Sequence, residues 1–304
     1  MTTSSGATRH AGAPLAGGKD GAVPSSGSSG RPARTPAGGP AAAGTAHPFR
    51  AVPVPAFRAV PVPALPALRR GIFDDTLNGG GAEIVHVFAR ADDPGWVRQA
   101  VREIAGTGRT PLVTVEPWDA GRSLALPDAA QARALADALR DPRRVLVRYL
   151  HEWNGNWYPW GEGLPAGRWR EAWARLADAL PENAQSVWCP NVGLSDLGGH
   201  WPSRPPDVVG IDGYDWGIER RREFGEVVGP MVRWVRPLAG DRPLMVCETA
   251  TRRGPGQVRW VREMLACAAA ERLAAVCWFD VAKERDWRLS PAARRAFLGK
   301  EGRR

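Results

Sequence analysis

From residue 84 onward the chain alternates between short, nearly continuous apolar runs and longer segments whose apolar residues recur every three or four positions. The runs are 84–88 (IVHVF), 111–115 (PLVTV), 145–150 (VLVRYL), 186–189 (SVWC), 208–211 (VVGI), 244–247 (LMVC) and 274–278 (AAVCW), with Ile72 and Phe73 a weaker first one. Strands this short and this apolar suit a parallel sheet covered on both faces. The intervening segments carry helix signals. Pro94 opens one that places Val97, Val101 and Ile104 on one face, and Asp128 is a candidate N-cap ahead of Leu135 and Leu139. Trp169, Trp173, Leu176 and Leu180 make a third stripe, Val258, Val261 and Leu265 a fourth, and Ser290-Pro291 starts the last helix. Eight strands alternating with helices predict a (β/α)8 TIM-like barrel. The alternative is a doubly wound open sheet, but the Gly-rich phosphate turn expected after its first strand is not in the sequence. The barrel should be small, spanning 71–304, and irregular at its start. Too few residues follow Phe73 for a crossover helix before the second strand, so that helix is missing or the first strand lies further upstream.

Residues 1–70 differ in composition. They hold no Trp, two Phe, and much Ala, Gly, Pro and Ser, too little apolar surface to offset the entropy of ordering. This segment is expected to be a disordered arm. Its tandem FRAVPVPA repeat (49–56 and 57–64) reads as a stiff polyproline-type spacer. Eight Lys/Arg against Asp20 put +7 of the chain's formal +9 into the arm, leaving a nearly neutral folded part. Those charges are scattered, so nucleic acid is not the expected partner. No run approaches the ~18 apolar residues of a membrane span, and the first residues lack the apolar core of a secretory signal. The four cysteines form no Cys-x-x-Cys pair, so metal capture by thiols is not expected; Cys189, Cys247 and Cys277 read as small buried hydrophobes, and a Cys267–Cys277 bridge would require export. No cofactor or metal is expected, and the chain should be a monomer.

The polar residues fall at the carboxyl ends of the apolar runs, where barrels of this kind keep their chemistry. After VLVRYL comes His151-Glu152-Trp153-Asn154-Gly155-Asn156-Trp157-Tyr158-Pro159-Trp160, and after LMVC comes Glu248. Glu116 and Trp118, Asp212 and Tyr214, and Trp278 and Asp280 follow the same rule. Two carboxylates at one barrel mouth, ringed by indoles, suit glycoside hydrolysis: one acid protonates the leaving oxygen while the other carboxylate attacks or activates water. All 14 Trp lie at or beyond position 96. Those at 153, 157, 160, 188, 201 and 216 fall in or near strand-end loops, where packing alone gives little reason for them.

The run Arg148-x-x-His151-Glu152-x-Asn154-Gly155, closing on Trp157-Tyr158-Pro159-Trp160, resembles the acid/base segment of glycoside hydrolase family 26, the family of β-mannanases and some mixed-linkage β-glucanases. The EPW at 116–118, VVGIDGYDW at 208–216, CETA at 247–250 and WFD at 278–280 agree in order, and the resemblance covers roughly 82–280. It implies that Glu152 is the general acid/base and Glu248 the nucleophile of a retaining enzyme, whose two carboxyl groups would stand about 5–5.5 Å apart. It also implies that His151 contacts the sugar beside the acid, Tyr214 hydrogen-bonds the nucleophile, and Trp278 floors the sugar site preceding the cleaved bond. Trp118, Trp157 and Trp160 complete the expected substrate contacts. Trp153 stands where Met is typical of the family. The implied partner is a β-1,4-linked polysaccharide or oligosaccharide, mannan first and mixed-linkage glucan second, cleaved in endo fashion; the competing reading is a catalytically silent carbohydrate-binding barrel.

Other residues have plainer readings. His86, inside a strand, reads as a hydrogen-bonded core histidine, whereas His200, in a Gly/Pro loop, is open to either loop decoration or substrate contact. Trp169, Trp173, Trp234 and Trp260 fall at helical spacing and read as packing. Glu152 read as a structural carboxylate would pair with Arg148.

Overall fold

The computed structural model describes residues 67–299, except 120–122, 142, 162, 194–197 and 219. The N-terminal arm with its repeat, through residue 66, therefore lies outside the described residues. Eight parallel strands close into a barrel in sequence order: β1 (Arg69–Phe73), β2 (Ile84–Arg90), β3 (Thr110–Glu116), β4 (Val145–Tyr149), β5 (Ala184–Trp188), β6 (Val208–Asp215), β7 (Leu244–Thr251) and β8 (Ala275–Phe279). The open-sheet alternative is excluded, because β8 pairs back onto β1 over five residues, from Arg69 opposite Ala275 to Phe73 opposite Phe279. The first strand is the weak candidate at Ile72 and Phe73, not the proline-rich repeat. It begins at Arg69, two residues ahead of the boundary expected at 71.

Six α-helices cover the described barrel: α1 (Pro94–Gly106), α2 (Ala129–Ala138), α3 (Ala166–Ala179), α4 (Phe224–Ala239), α5 (Gln257–Ala270) and α6 (Pro291–Leu298). Their starts follow local chemistry. Asp93 accepts from Trp96 N at α1, and Asp128 and Gln131 form a reciprocal capping box at α2. Ser290 accepts from Ala293 N at α6, with Pro291 in the first turn. Between β1 and β2 a 3-10 turn, Gly79–Gly81, replaces the helix. All three of its glycines have positive φ, a conformation that lets so short a connection reverse between parallel strands. A second 3-10 turn, Gly198–His200, follows β5. α4 is not legible in the sequence, since Pro230 and Pro237 interrupt its pattern.

The barrel interior is filled by Ile84, Leu112, Leu146, Val187, Cys189, Val208, Met245, Cys247, Ala275 and Cys277. The larger core lies between strands and helices and takes up Trp169, Trp173 and Trp260. Trp234 departs from the packing expectation: it is 37% exposed on α4. All four cysteines are free, and Cys267 is only half-buried. No helix among the described residues is long and apolar enough to cross a membrane.

Candidate active site

Glu248 owes its direction to an irregularity in β7. Met245 and Cys247 face the barrel interior, so strict alternation would turn Glu248 outward. The β6–β7 register slips there: Ile211 pairs with Val246, but Asp212 pairs with Glu248, leaving Cys247 as the extra residue of a bulge. A bulge of this kind re-aims a side chain. The Glu248 carboxylate meets the guanidinium of Arg148, which donates to Oε1, and the phenol of Tyr214, which donates to Oε2. Burial and the neighbouring Glu248 push the Tyr214 phenol well above its ordinary pKa, so it remains a donor.

Arg148, on β4, organises the layer beneath. It is fully buried, forms ion pairs with both Asp212 and Glu248, and donates its Nε–H to Thr114 Oγ1 at 2.8 Å. His86 Nε2 lies 2.8 Å from the same hydroxyl and 3.3 Å from Arg148 Nη2. Burial and the positive charge of Arg148 hold His86 well below the usual histidine range, so it is a neutral, hydrogen-bonded core residue. The ion pairs of Arg148 run to Asp212 and Glu248.

Glu152 follows β4 on an unusual backbone. Leu150 and Glu152 both have positive φ, 51° and 49°, a conformation costly for residues with a Cβ and held here by surrounding contacts. Glu152 N donates to Cys189 O at 2.9 Å. Its carboxylate is 1% exposed and accepts from Trp157 Nε1 at 2.7 Å and from Asn191 Nδ2 at 2.5 Å. Asn191 is itself clamped by Asn154, whose side chain accepts from Asn191 N and donates to Asn191 O, each at 2.8 Å. Sequence reasoning misses Asn191. The available signal is its position just beyond the SVWC run, at the same level as the other polar rim residues.

The remaining expected site residues divide. His151 is buried, with Nε2 3.1 Å from the Tyr158 hydroxyl. Trp118 is buried and donates to Glu116 Oε2 at 2.9 Å. Trp160, expected to contact the sugar, is fully buried, stacks on Tyr158 at 4.4 Å, and gives its indole N–H to His151 O. Cys277 faces the interior, so Trp278 turns outward, where it is fully buried against Trp260 and Phe297 and donates to Trp287 O. Phe279 takes the inward place. The loop tryptophans Trp153 and Trp188 are also core residues, packed 4.7 Å apart. Asp280 caps the return of the chain by accepting from Leu289 N and Arg294.

Glu116, at the end of β3, is a third carboxyl near the pair. Burial, reinforced by Glu248, pushes it up to about 7 against the pull of the Trp118 hydrogen bond and Arg148. Its Oε1 is buried and has no hydrogen-bond partner among the described residues. Two groups of potential metal ligands lie among the described residues, Cys189–Asp212–Cys247 and His151–Glu152–Asp212. In both groups one carboxylate oxygen of Asp212 is already paired with Arg148.

A closed parallel barrel with buried carboxylates at the carboxyl ends of β4 and β7 defines the structural class. Solved structures share the fold. A family 26 β-mannanase from Bacteroides ovatus superposes with a TM-score of 0.58 at 14% identity, over 78% of this chain and 89% of that one. An endo-β-1,4-mannanase from Cellulomonas fimi gives 0.59 at 16% identity, over 77% and 71%. A broad-specificity endoglucanase from Clostridium acetobutylicum gives 0.52 at 9%, over 72% and 86%. In sequence, the chain is 28% identical over 250 residues to Endoglucanase H of Acetivibrio thermocellus, a match covering 73% of this chain but only 27% of that protein. No family model matches the chain.

Proposed function

We propose that the chain is a retaining endo-β-glycoside hydrolase acting on a β-1,4-linked polysaccharide, with mannan the leading substrate and mixed-linkage glucan the second. The observation that carries this reading is the pairing of two differently held carboxylates on one rim. Glu248 is held by a guanidinium and a phenol, one on each carboxylate oxygen, which fixes its aim as a nucleophile requires. Glu152 sits between neutral donors from Trp157 and Asn191. In the first step Glu248 attacks the anomeric carbon while Glu152 gives its proton to the departing glycosidic oxygen. In the second, Glu152 takes a proton from water, which displaces Glu248 from the sugar and restores both groups. The likeness to Endoglucanase H and to mannanase and endoglucanase barrels supports the reaction class and both candidate sugars.

The test is release of reducing ends from galactomannan, glucomannan and barley β-glucan by the full-length protein, with Glu248→Gln as control. Release abolished in the control supports the reading and identifies the backbone sugar. A folded protein that binds these glycans without cleaving them would instead be the silent carbohydrate-binding barrel.

A further inference from the structure

At the carboxyl ends of β8, β1 and β2 the inward-facing side chains are aromatic, although charged residues (Asp280, Asp74 and Asp75) follow directly in the loops. The inward positions there are Phe279, Phe73 and Phe88. Each lies two residues beyond a position that points into the barrel: Cys277, Gly71 (whose added Cβ would strike the Cys277 sulfur) and His86. The rings form one group. Phe73 stacks on Phe279 at 4.9 Å and meets Phe88 edge-on at 4.9 Å, while Phe88 and Phe279 are 6.4 Å apart. Phe279 is buried, but Phe73 and Phe88 are only half-buried.

This group borders both halves of the candidate site. The Phe88 ring is 6.2 Å from that of His151, the neighbour of Glu152. The Phe279 ring is 5.8 Å from that of Tyr214, the donor to Glu248. The β5–β6 side of the rim carries polar groups instead: Asn191, Asp212 and Tyr214. A pyranose ring has C–H faces that lie well against aromatic rings and hydroxyl edges that need polar partners, and such a division of a site into apolar wall and a few polar groups is typical of ligand recognition.

We propose that Phe73 and Phe88, backed by Phe279, form an apolar platform on which a sugar ring beside Glu248 stacks, so that this part of the site reads ring shape rather than hydroxyl configuration. The inference rests on the hydrolase reading above and adds a substrate range to it. An apolar wall discriminates poorly between isosteres that differ in a hydroxyl, by no more than about a hundredfold. Both manno- and gluco-configured β-1,4 chains should therefore be accepted.

The test uses the full-length protein and its Phe73→Leu, Phe88→Leu and Phe88→Trp variants, with KM and kcat measured on soluble glucomannan and barley β-glucan. Leucine keeps apolar volume and burial but removes the aromatic face, so a merely structural role predicts no change in KM. The platform predicts a rise in KM of about two- to tenfold on both polymers, with a smaller change in kcat, and recovery in Phe88→Trp. Unchanged KM in both Leu variants, or a rise on one polymer alone, overturns it. If the wild type shows no release that Glu248→Gln abolishes, the hydrolase reading is what fails. Calorimetric binding of mannohexaose and cellohexaose then decides the platform: weaker binding by the Leu variants upholds it, and equal binding overturns it.

Discussion

The side-chain amide of Asn191 donates to Glu152 Oε1 at 2.5 Å, and its own backbone is gripped on both sides by Asn154. Asn154 belongs to the same post-β4 turn as Glu152, whereas Asn191 follows β5. The turn thus builds, through a neighbouring loop, the group that orients its own carboxyl. Asn191→Ala should lower kcat by about ten- to a hundredfold, the usual worth of a hydrogen bond to an ionisable group, while KM changes less. Steady-state kinetics on the cleaved polymer would show this, and a change confined to KM would contradict the orienting role.

Arg148 supports the site from below and is the residue the fold can least lose. Arg148→Met removes the partner of two buried carboxylates at once. Unpairing buried charges costs about 3–5 kcal/mol, so the urea midpoint should drop accordingly and turnover should fall with it. An unchanged midpoint would mean that the pairs contribute no net stability.

Glu116 gives the stability a pH dependence of definite sign. Its carboxyl is raised from 4.5 to about 7, so between those limits the native state keeps a proton that the unfolded chain has lost. Raising the pH through that window therefore favours unfolding, and the penalty is complete above about 7. With each pH step of one between the two values costing about 1.4 kcal/mol, the full penalty is roughly 3 kcal/mol. Glu116→Gln should gain on the wild type steadily from pH 4.5 to about 7 and no further above, as read from urea midpoints along a pH series. A difference that stays flat across the window would remove this carboxyl as its source.

Trp278 should behave as a core residue. Trp278→Phe vacates space against Trp260 and Phe297 and loses the hydrogen bond to Trp287 O, so the melting temperature should fall. KM should not move. A raised KM with unchanged melting would restore Trp278 to the sugar site.

Local periodicity and capping chemistry are enough to read from the residues the alternation of strands and helices, the helix starts at Pro94, Asp128 and Ser290, and the placing of Glu152, Tyr214 and Glu248 at strand ends. Tertiary structure decided which way side chains face and whom they meet. Trp278 and Phe279 exchange roles on a single step of strand parity, and the bulge at Cys247 turns Glu248 inward against that parity. The ion pairs of Arg148 span 64 and 100 residues of chain, and Asn191 reaches Glu152 across 39. Such partners are fixed only when the barrel closes, since register is set by the whole sheet and not by any one strand.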